Sequence, residues 1–308
     1  MQVLVTGGAG FIGSHVVALL LERGHEVRVL DDLSSGVREQ VPAAVDFHLG
    51  SVTDPVTLTA AAAGVETVVH LAAIASVARS VEAPSETHAV NLAGTIRLAE
   101  AAAAAGVTKV VYASSAAVYG LVEREAHHED DPPAPATPYA IDKLTGETYL
   151  AFFARQHGLD ARALRFFNVY GPRQRADSPY AGVIARFATA LLAGEPLTVY
   201  GDGGQTRDFI FAGDVADIIV RHVEERPERG AMRVMNVCNG TRTSLLDLIE
   251  ALGGATGSDP EVRHLGARSG DIRHSRGAPA DLGAWYPDRP RTGLDKGLQR
   301  LVGWMREG

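Results

Sequence analysis

Gln2-Val3-Leu4-Val5-Thr6-Gly7-Gly8-Ala9-Gly10-Phe11-Ile12-Gly13 stands near the start of the chain, and its reading decides the fold. An apolar, β-branched run leads into spaced glycines, and these lead into Phe11 to Arg23, a stretch of helical length. Glycines between a strand and a helix let the backbone turn tightly. They also let an anionic group approach the helix N-terminus, where free amides and the positive dipole end favour it. The motif is weak on its own and gains weight from this placement.

Further short β-branched runs occur at Val27 to Leu30, Val65 to Leu71, Val107 to Ala113 and Ala163 to Phe167. Helical stretches at Ser85 to Ala105 and Tyr139 to His157 lie between them. Strands alternating with helices imply a doubly wound α/β fold, a parallel sheet covered on both faces, with its ligand beyond the C-terminal strand ends. The proline-rich run Asp130 to Pro138 can continue neither a helix nor a central strand, so it is read as a loop delivering the next helix. After Gly171-Pro172 the elements become shorter and irregular: Ile184 to Leu192, Leu197 to Tyr200, Val215 to Val223, Val234 to Val237 and Leu245 to Leu252. The expected organisation is a nucleotide-binding Rossmann domain over 1–170 and a smaller α/β substrate lobe over 171–308, with about 205–225 placed to return to the first.

Composition narrows the partners. The chain has 308 residues, 46% hydrophobic and 21% charged, enough for one large or two modest cores. Its formal net charge is −8 with no run of Lys or Arg, which argues against nucleic acid. A single cysteine, Cys238, excludes an internal disulfide or a CxxC site. No apolar stretch reaches spanning length and no signal peptide is seen, so a soluble, cytoplasmic protein acting on small molecules is expected, with no membrane partner. No metal is expected either: His127 and His128 lie among acids and prolines without a third ligand nearby, and His70 is read as packing beside the cofactor groove.

Two features point to redox and proton chemistry. Eighteen positions after Gly13, the second strand ends in Leu30-Asp31-Asp32. A carboxylate there accepts hydrogen bonds from ribose hydroxyls and repels a 2′-phosphate, favouring NAD over NADP. Only three lysines occur, Lys109, Lys143 and Lys296, yet one of them follows a tyrosine by four positions, Tyr139 and Lys143. On a helix this spacing puts both on one face. The ammonium and a positive nicotinamide would stabilise a phenolate, making Tyr139 a general base. Ser114 and Ser115 end the preceding strand where ligands bind, and a hydroxyl there can hold the reacting oxygen.

Further stretches carry a family likeness: Asp31-Asp32-Leu33-Ser34-Ser35-Gly36, His70-Leu71-Ala72-Ala73, Asn91-Leu92-Ala93-Gly94-Thr95, Tyr112 to Gly120, Pro138-Tyr139, Leu164 to Gln174 and Gly201 to Phe209. With these the chain resembles, nearly end to end, the extended short-chain dehydrogenase/reductase family, and within it the nucleotide-sugar 4-epimerases of the UDP-glucose 4-epimerase type. The resemblance implies that Gly7, Gly10, Phe11, Ile12 and Gly13 cradle the NAD pyrophosphate. It also implies that Asp31, Ser35, Gly36, Ser51 and Val52 lie along the adenosine, and that Leu71, Ala72, Ala73, Asn91 and Lys143 line the rest of the groove. Ser115, Tyr139 and Lys143 match the catalytic triad, Ser115 and Tyr139 also touching the substrate. Asn168, Tyr200, Arg207, Arg268, Asp271 and Ser275 fall where the family holds the nucleotide sugar, a UDP-hexose. The family commonly has an Asp where this chain has Ser51.

The implied reaction is NAD-dependent epimerisation at C4, of UDP-glucose and UDP-galactose first, with the N-acetylhexosamine pair admitted if the small Ser275 borders the sugar pocket. Other enzymes of the scaffold, a UDP-glucuronate 4-epimerase, a reductase or a dehydratase, are the second reading. Dehydratases of the family typically follow the catalytic hydroxyl residue with an Asp-Glu pair, whereas Ala116 and Ala117 stand here. A non-catalytic nucleotide sensor has no need of Tyr139 and Lys143 together. The family's usual pairing and the alanine-rich faces of Ser85 to Ala105 and Tyr139 to His157 lead to an expected homodimer.

Overall fold

The computed structural model describes residues 1–175, 182–267 and 272–307. In chain order the elements begin β1 (Gln2–Thr6), α1 (Phe11–Glu22), β2 (Glu26–Asp31), β3 (Asp46–Leu49), α2 (Pro55–Ala62), β4 (Thr67–His70), α3 (Val77–Glu82), α4 (Pro84–His88), α5 (Gly94–Ala105), β5 (Lys109–Ser115), α6 (Pro138–His157) and β6 (Asp160–Phe166). They continue with β7 (Asn168–Tyr170), α7 (Val183–Leu192), β8 (Leu197–Tyr200), β9 (Thr206–Arg207), β10 (Phe209–Phe211), α8 (Ala212–Glu224), β11 (Met232–Val237), β12 (Thr243–Ser244), α9 (Leu245–Thr256), β13 (Val262–Leu265), α10 (Ala280–Trp285) and α11 (Leu294–Glu307).

Seven strands form one sheet in the order β11-β6-β5-β4-β1-β2-β3, and β1 to β6 pair in parallel. The doubly wound Rossmann class is therefore what the chain adopts. Its strand order reverses between β1 and β4, which opens a crevice beyond their C-terminal ends. Val3, Leu4 and Val5 of β1, Val68 and Val69 of β4, and Val110, Val111 and Tyr112 of β5 are all buried. Consecutive buried positions mean both sheet faces are covered, which is why these strands read as unbroken apolar runs. Leu58, Leu98, Ala102, Leu150 and Ala154 complete that core from the helices, and Ala99 and Ala102 of α5 are fully buried in it.

Two local features differ from the sequence reading. The stretch from Ser85 to Ala105 is not one α-helix: α4 and α5 are joined by a π-helical turn over Ala89–Ala93. That wider turn carries the buried Asn91 and Leu92. The edge strand β3 was not anticipated, because Asp46-Phe47-His48-Leu49 is short, has a polar residue at every second position and is nowhere fully buried.

By contacts the chain divides into two compact units. One comprises Met1–Gly120, Pro132–Phe166 and Val215–Met235; the other comprises Leu121–Asp131, Phe167–Asp214 and the chain from Asn236 onward. Lys109 shows why Val215–Met235 stays with the first unit. Its buried ammonium donates to the backbone carbonyls of His222 (2.6 Å) and Glu225, just where α8 ends and carbonyls lack helical partners. Beside it Arg162 grips Asp160 through two hydrogen bonds of 2.7 and 2.9 Å. The second unit has its own core, including Ile184, Phe187, Val199, Phe211, Leu248 and Leu301. Its short strands pair as β7 with β10, β8 with β13 and β9 with β12. Among the described residues no helix is long and apolar enough to cross a membrane.

Candidate functional site

At the switch point of the first unit, the glycines are required by contact. Gly7 has φ +71°, and a Cβ there would stand 2.7 Å from the Ala72 backbone nitrogen, so the loops after β1 and β4 touch. A Cβ on Gly13 would lie 2.0 Å from the Gly7 carbonyl oxygen. The first turn of α1, with Phe11 and Ile12 half-buried, has no side-chain cap at its Gly10 N-cap, which leaves its amides to an incoming anion. This cradle fits the pyrophosphate of a dinucleotide.

Asp31 ends β2 and is buried, and its carboxylate accepts from the backbone amides of Ala9 (2.9 Å) and Leu33 (2.8 Å). Burial raises its pKa, and the two amides oppose that rise. The carboxylate is thus fixed in direction beside the glycine loop, and a Cβ on Gly36 would meet it at 2.9 Å. Ser35 is exposed nearby. Ser51 accepts from the Thr53 amide and hydroxyl at 3.3 and 3.0 Å, so both its acceptor positions are taken and only its proton is left to offer. Val52 is a core residue.

Leu71, Ala72 and Ala73 follow β4 and are half-buried. Asn91 acts on this segment from behind: its Oδ1 accepts from the Ile74 amide (2.8 Å) and its Nδ2 donates to the Ile74 carbonyl (3.0 Å). Its amide is therefore spent on holding the loop. His70 is equally committed. The Thr95 hydroxyl donates to the Asn91 carbonyl (2.6 Å), so the His70 Nε2–H donates to Thr95 Oγ1 (3.0 Å), and Nδ1 accepts from Thr6 Oγ1 (2.7 Å). Burial, with the Lys143 charge adding to it, pushes the imidazole pKa down to about 3, and the ring stays neutral.

The end of β5 separates its two serines, which sequence alone left adjacent. Ser114 is buried and donates to Glu147 Oε1, while Arg165 grips the same carboxylate through Nε (3.0 Å) and a terminal nitrogen (2.8 Å). Arg165 also donates to the Tyr119 hydroxyl at 3.0 Å. Ser115 points the other way, caps the short turn Ala116–Tyr119 by accepting from the Ala117 amide, and hydrogen-bonds the Tyr139 phenol.

Helix α6 starts with Thr137 as N-cap and Pro138 in its first turn, which sets Tyr139 one residue inside. Tyr139, Lys143, Gly146, Glu147 and Leu150 recur at helical spacing on its inner face. Lys143 donates to the Ala113 carbonyl at 2.8 Å, and its ammonium stands 5.0 Å from the Tyr112 ring centroid and 5.8 Å from that of Tyr139. Burial pulls its pKa down to about 8, with the neighbouring Asp142 charge working against that fall. The Tyr139 phenol is held above its ordinary range by burial, opposed by the Ser115 hydrogen bond. The polypeptide by itself therefore does not lower this phenol; the expectation from the Tyr-Lys spacing counts on the positive charge of a bound nicotinamide as well. Desolvation of the phenolate outweighs the stabilisation found within the chain.

In the second unit, Tyr200 and Arg207 line one cavity of about 160 Å³, together with Arg186, Phe187 and Gln205 among others. Asn168 lies apart from that lining, its backbone N–H donating to the Asp208 carbonyl at 3.0 Å. Ser275 is placed beside β9, its amide donating to the Thr206 carbonyl at 3.2 Å. Arg268 and Asp271 lie outside the described residues. Sequence reasoning missed Glu147 and Arg165. Glu147 was detectable, since it lies four positions after Lys143 on the same helical face.

The chain is similar to known proteins in sequence and in fold. Residues 3–238 match the NAD dependent epimerase/dehydratase family. A UDP-glucose 4-epimerase of Mycolicibacterium smegmatis is 42% identical over 316 residues, covering 99% of both chains. A UDP-glucose 4-epimerase from Thermotoga maritima, solved with UDP-glucose, superposes with a TM-score of 0.94 at 37% identity, covering 100% of this chain and 99% of that one. One from Thermus thermophilus, solved with NAD, gives a TM-score of 0.91 at 39% identity over 99% of each chain.

The two serines are expected to part company on substitution. Ser114→Ala leaves a buried carboxylate oxygen short of a donor and should cost about 1–3 kcal/mol of stability by urea denaturation. Ser115→Ala should cost little stability but move the Tyr139 titration to higher pH, because the one interaction lowering that pKa is lost. Phenolate absorbance, read as a difference against Tyr139→Phe, measures the shift; equal titrations with and without Ser115 would refute it.

Proposed function

Since the chain belongs to the NAD dependent epimerase/dehydratase family, we propose that it is a nucleotide-sugar 4-epimerase that interconverts UDP-glucose and UDP-galactose. The observation that carries this reading is the acid–base content of the site. It holds one tyrosine hydroxyl tied to Ser115 beside a buried lysine, with Ala116 and Ala117 in the next two positions. Such a set can move one proton on and off one oxygen. Elimination of water from neighbouring sugar carbons asks for further acid and base groups, and these positions carry none.

When bound, NAD would supply the redox chemistry, reversible hydride acceptance at the sugar carbon. Gly7, Gly10 and Gly13 leave the space for its pyrophosphate, and Asp31 takes the adenosine ribose. Tyr139 removes the proton from the sugar 4-hydroxyl and later restores it, while Ser115 holds the same oxygen. The Lys143 ammonium favours the charged phenolate. In the second unit, Asn168, Tyr200, Arg207, Arg268 and Asp271 hold the nucleoside diphosphate, arginine suiting the task because its planar fork meets phosphate oxygens in pairs. Because the net redox change is zero, the protein should turn over without added cofactor, in the cytoplasm where NAD and nucleotide sugars reside.

A second copy of this chain is the partner proposed for the outer face of α6. Ile141, Tyr149 and Phe152 are each between 41% and 49% exposed and recur along one side of the helix, with the exposed Val77 and Val81 on α3, which packs against α6. Isologous pairing would bury this stripe.

Three outcomes are expected. Purified protein given UDP-glucose alone should form UDP-galactose by NMR, and Tyr139→Phe should lose on the order of 10² to 10⁴ in rate; a variant retaining a tenth of the activity would overturn the role of Tyr139. With Ser275 small, the N-acetylhexosamine pair should also be accepted, and Ser275→Tyr should depress that reaction roughly 5- to 150-fold more than the hexose reaction, the factor for an overpacking cost of about 1–3 kcal/mol. Equal losses on both pairs would show that Ser275 does not border the C2 substituent. Sedimentation velocity at micromolar concentration should give a dimer that Phe152→Glu dissociates; a wild-type monomer removes the assembly.

A further inference from the structure

We propose that Asp142 is a positioning residue for the reaction: its buried carboxylate, tethered by His88, is the counter-charge that keeps the Lys143 side chain an ammonium. The inference rests on the roles proposed above for Tyr139 and Lys143 and adds a group that acts on them from behind.

Among the described residues, the Lys143 ammonium makes one hydrogen bond, to the Ala113 carbonyl at 2.8 Å, and no ion pair. An ammonium has three protons to donate, so a single neutral acceptor replaces little of what it leaves in water. Glu147, one turn further along the same helix face, cannot make up the difference. Arg165 already grips that carboxylate through hydrogen bonds of 3.0 and 2.8 Å. Asp142 is in a different state. It is 3% exposed, its Oδ1 accepts from His88 Nδ1–H at 3.0 Å, and its Oδ2 is buried without a partner. Half of a buried carboxylate is therefore unmatched by any donor, and its field acts on whatever cation lies near.

Consecutive residues on a helix do not face each other, and Tyr112 is what brings these two together. Asp142 and Gly146 are four positions apart on one side of α6, and Gly146 meets the Tyr112 hydroxyl so closely that a Cβ would stand 2.6 Å from it. The Lys143 ammonium stands 5.0 Å from the centroid of the same fully buried ring. The carboxylate thus belongs to the side of α6 that fronts the hydroxyl, and the ammonium lies by the ring, with no water layer to screen one from the other. In agreement, the Asp142 charge opposes the fall that burial imposes on the Lys143 pKa.

His88 fixes this carboxylate from the surface. It is the last residue of α4, its ring is largely exposed, and because the carboxylate is the acceptor its Nδ1 carries the proton. Other ionisable groups of the elements packed on α6 are Glu86 of α4, paired with Arg79 of α3 at 2.7 Å, Glu82 of α3, the half-buried Arg97 and exposed Glu100 of α5, Tyr119 after β5, and Arg165 of β6. The π-helical turn carries none.

Labelling with ¹⁵N-lysine tests the proposal on the protein without cofactor, because the chain has only three lysines, Lys109, Lys143 and Lys296. Lys143→Arg assigns the Nζ signal. Asp142→Asn keeps an acceptor for His88 and removes only the charge. A lost negative charge favours the neutral amine, so the Lys143 signal should titrate at lower pH, with proton binding about tenfold weaker. Lys109, at the opposite end of β5, should not move, and Asp142→Glu should recover part of the shift. The alkaline limb of kcat/KM for UDP-glucose should move to lower pH by a similar factor. An identical Lys143 titration in wild type and Asp142→Asn would overturn the proposal. A shifted lysine signal with an unmoved turnover profile would uphold Asp142 as the counter-charge and refute the role given to Lys143. Should the Asn variant not fold, Asp142→Ser replaces it with the same expectations.

Discussion

The buried ion pair between Glu147 of α6 and Arg165 of β6 is the constraint on which the catalytic geometry hangs. It is bidentate, and its carboxylate also takes the Ser114 hydroxyl, so strand β5, strand β6 and helix α6 are tied at one point. A buried charge pair of this kind adds little net stability over apolar packing but is costly to break from one side, and that makes it a device for register. With α6 held there, Gly146 faces the Tyr112 hydroxyl so closely that a Cβ would lie 2.6 Å from it. One and two helical turns back from Glu147 stand Lys143 and Tyr139, brought to the end of β5 where Ser115 waits. A slip of α6 by one residue would turn Tyr139 away from Ser115 by about 100°.

Burial sets the electrostatics of that face. It lowers Lys143, silences His70 and raises Tyr139, all in the direction that desolvation demands. The chain thus stores a neutral phenol beside a nearly titrating ammonium. A site of this kind is poised to respond to the charge of whatever binds it, because few mobile water dipoles remain to screen that charge. Asp142 belongs to this balance: it is buried next to Lys143, pairs through Oδ1 with His88 Nδ1 at 3.0 Å, and opposes the loss of the lysine charge.

The second unit meets its polar demands differently. Asp208 is fully buried and accepts from the backbone amides of Asn239, Gly240 and Gly277 at 3.0 to 3.1 Å, anchoring two loops to the strand that bears Arg207. Burial still raises its pKa to about 6. Arg273 and Asp202 form an exposed fork that adds little to stability, and the backbone bonds of Thr206 to Arg273 (2.9 Å) and Ser275 (3.2 Å) hold the β9 edge.

Local chemistry determined a large share of this protein by itself. Glycine spacing, apolar runs and the acid at the end of β2 are short-range features, each decided within one strand or turn, so the cofactor loop was legible from residues 2–36 and the doubly wound sheet from the alternating runs up to Phe167. The Tyr139 to Lys143 interval was legible for the same reason, since a helix fixes which residues share a face. What only the tertiary structure decided are the pairings between residues distant in the chain. Ser114 and Ser115 have the same chemistry and differ only in which side of β5 they face; Asn91 and His70 are spent on the loops they support; the sign of the Tyr139 shift depends on total burial. Burial and orientation sum over every neighbour in space, and a linear sequence orders neighbours only along the chain.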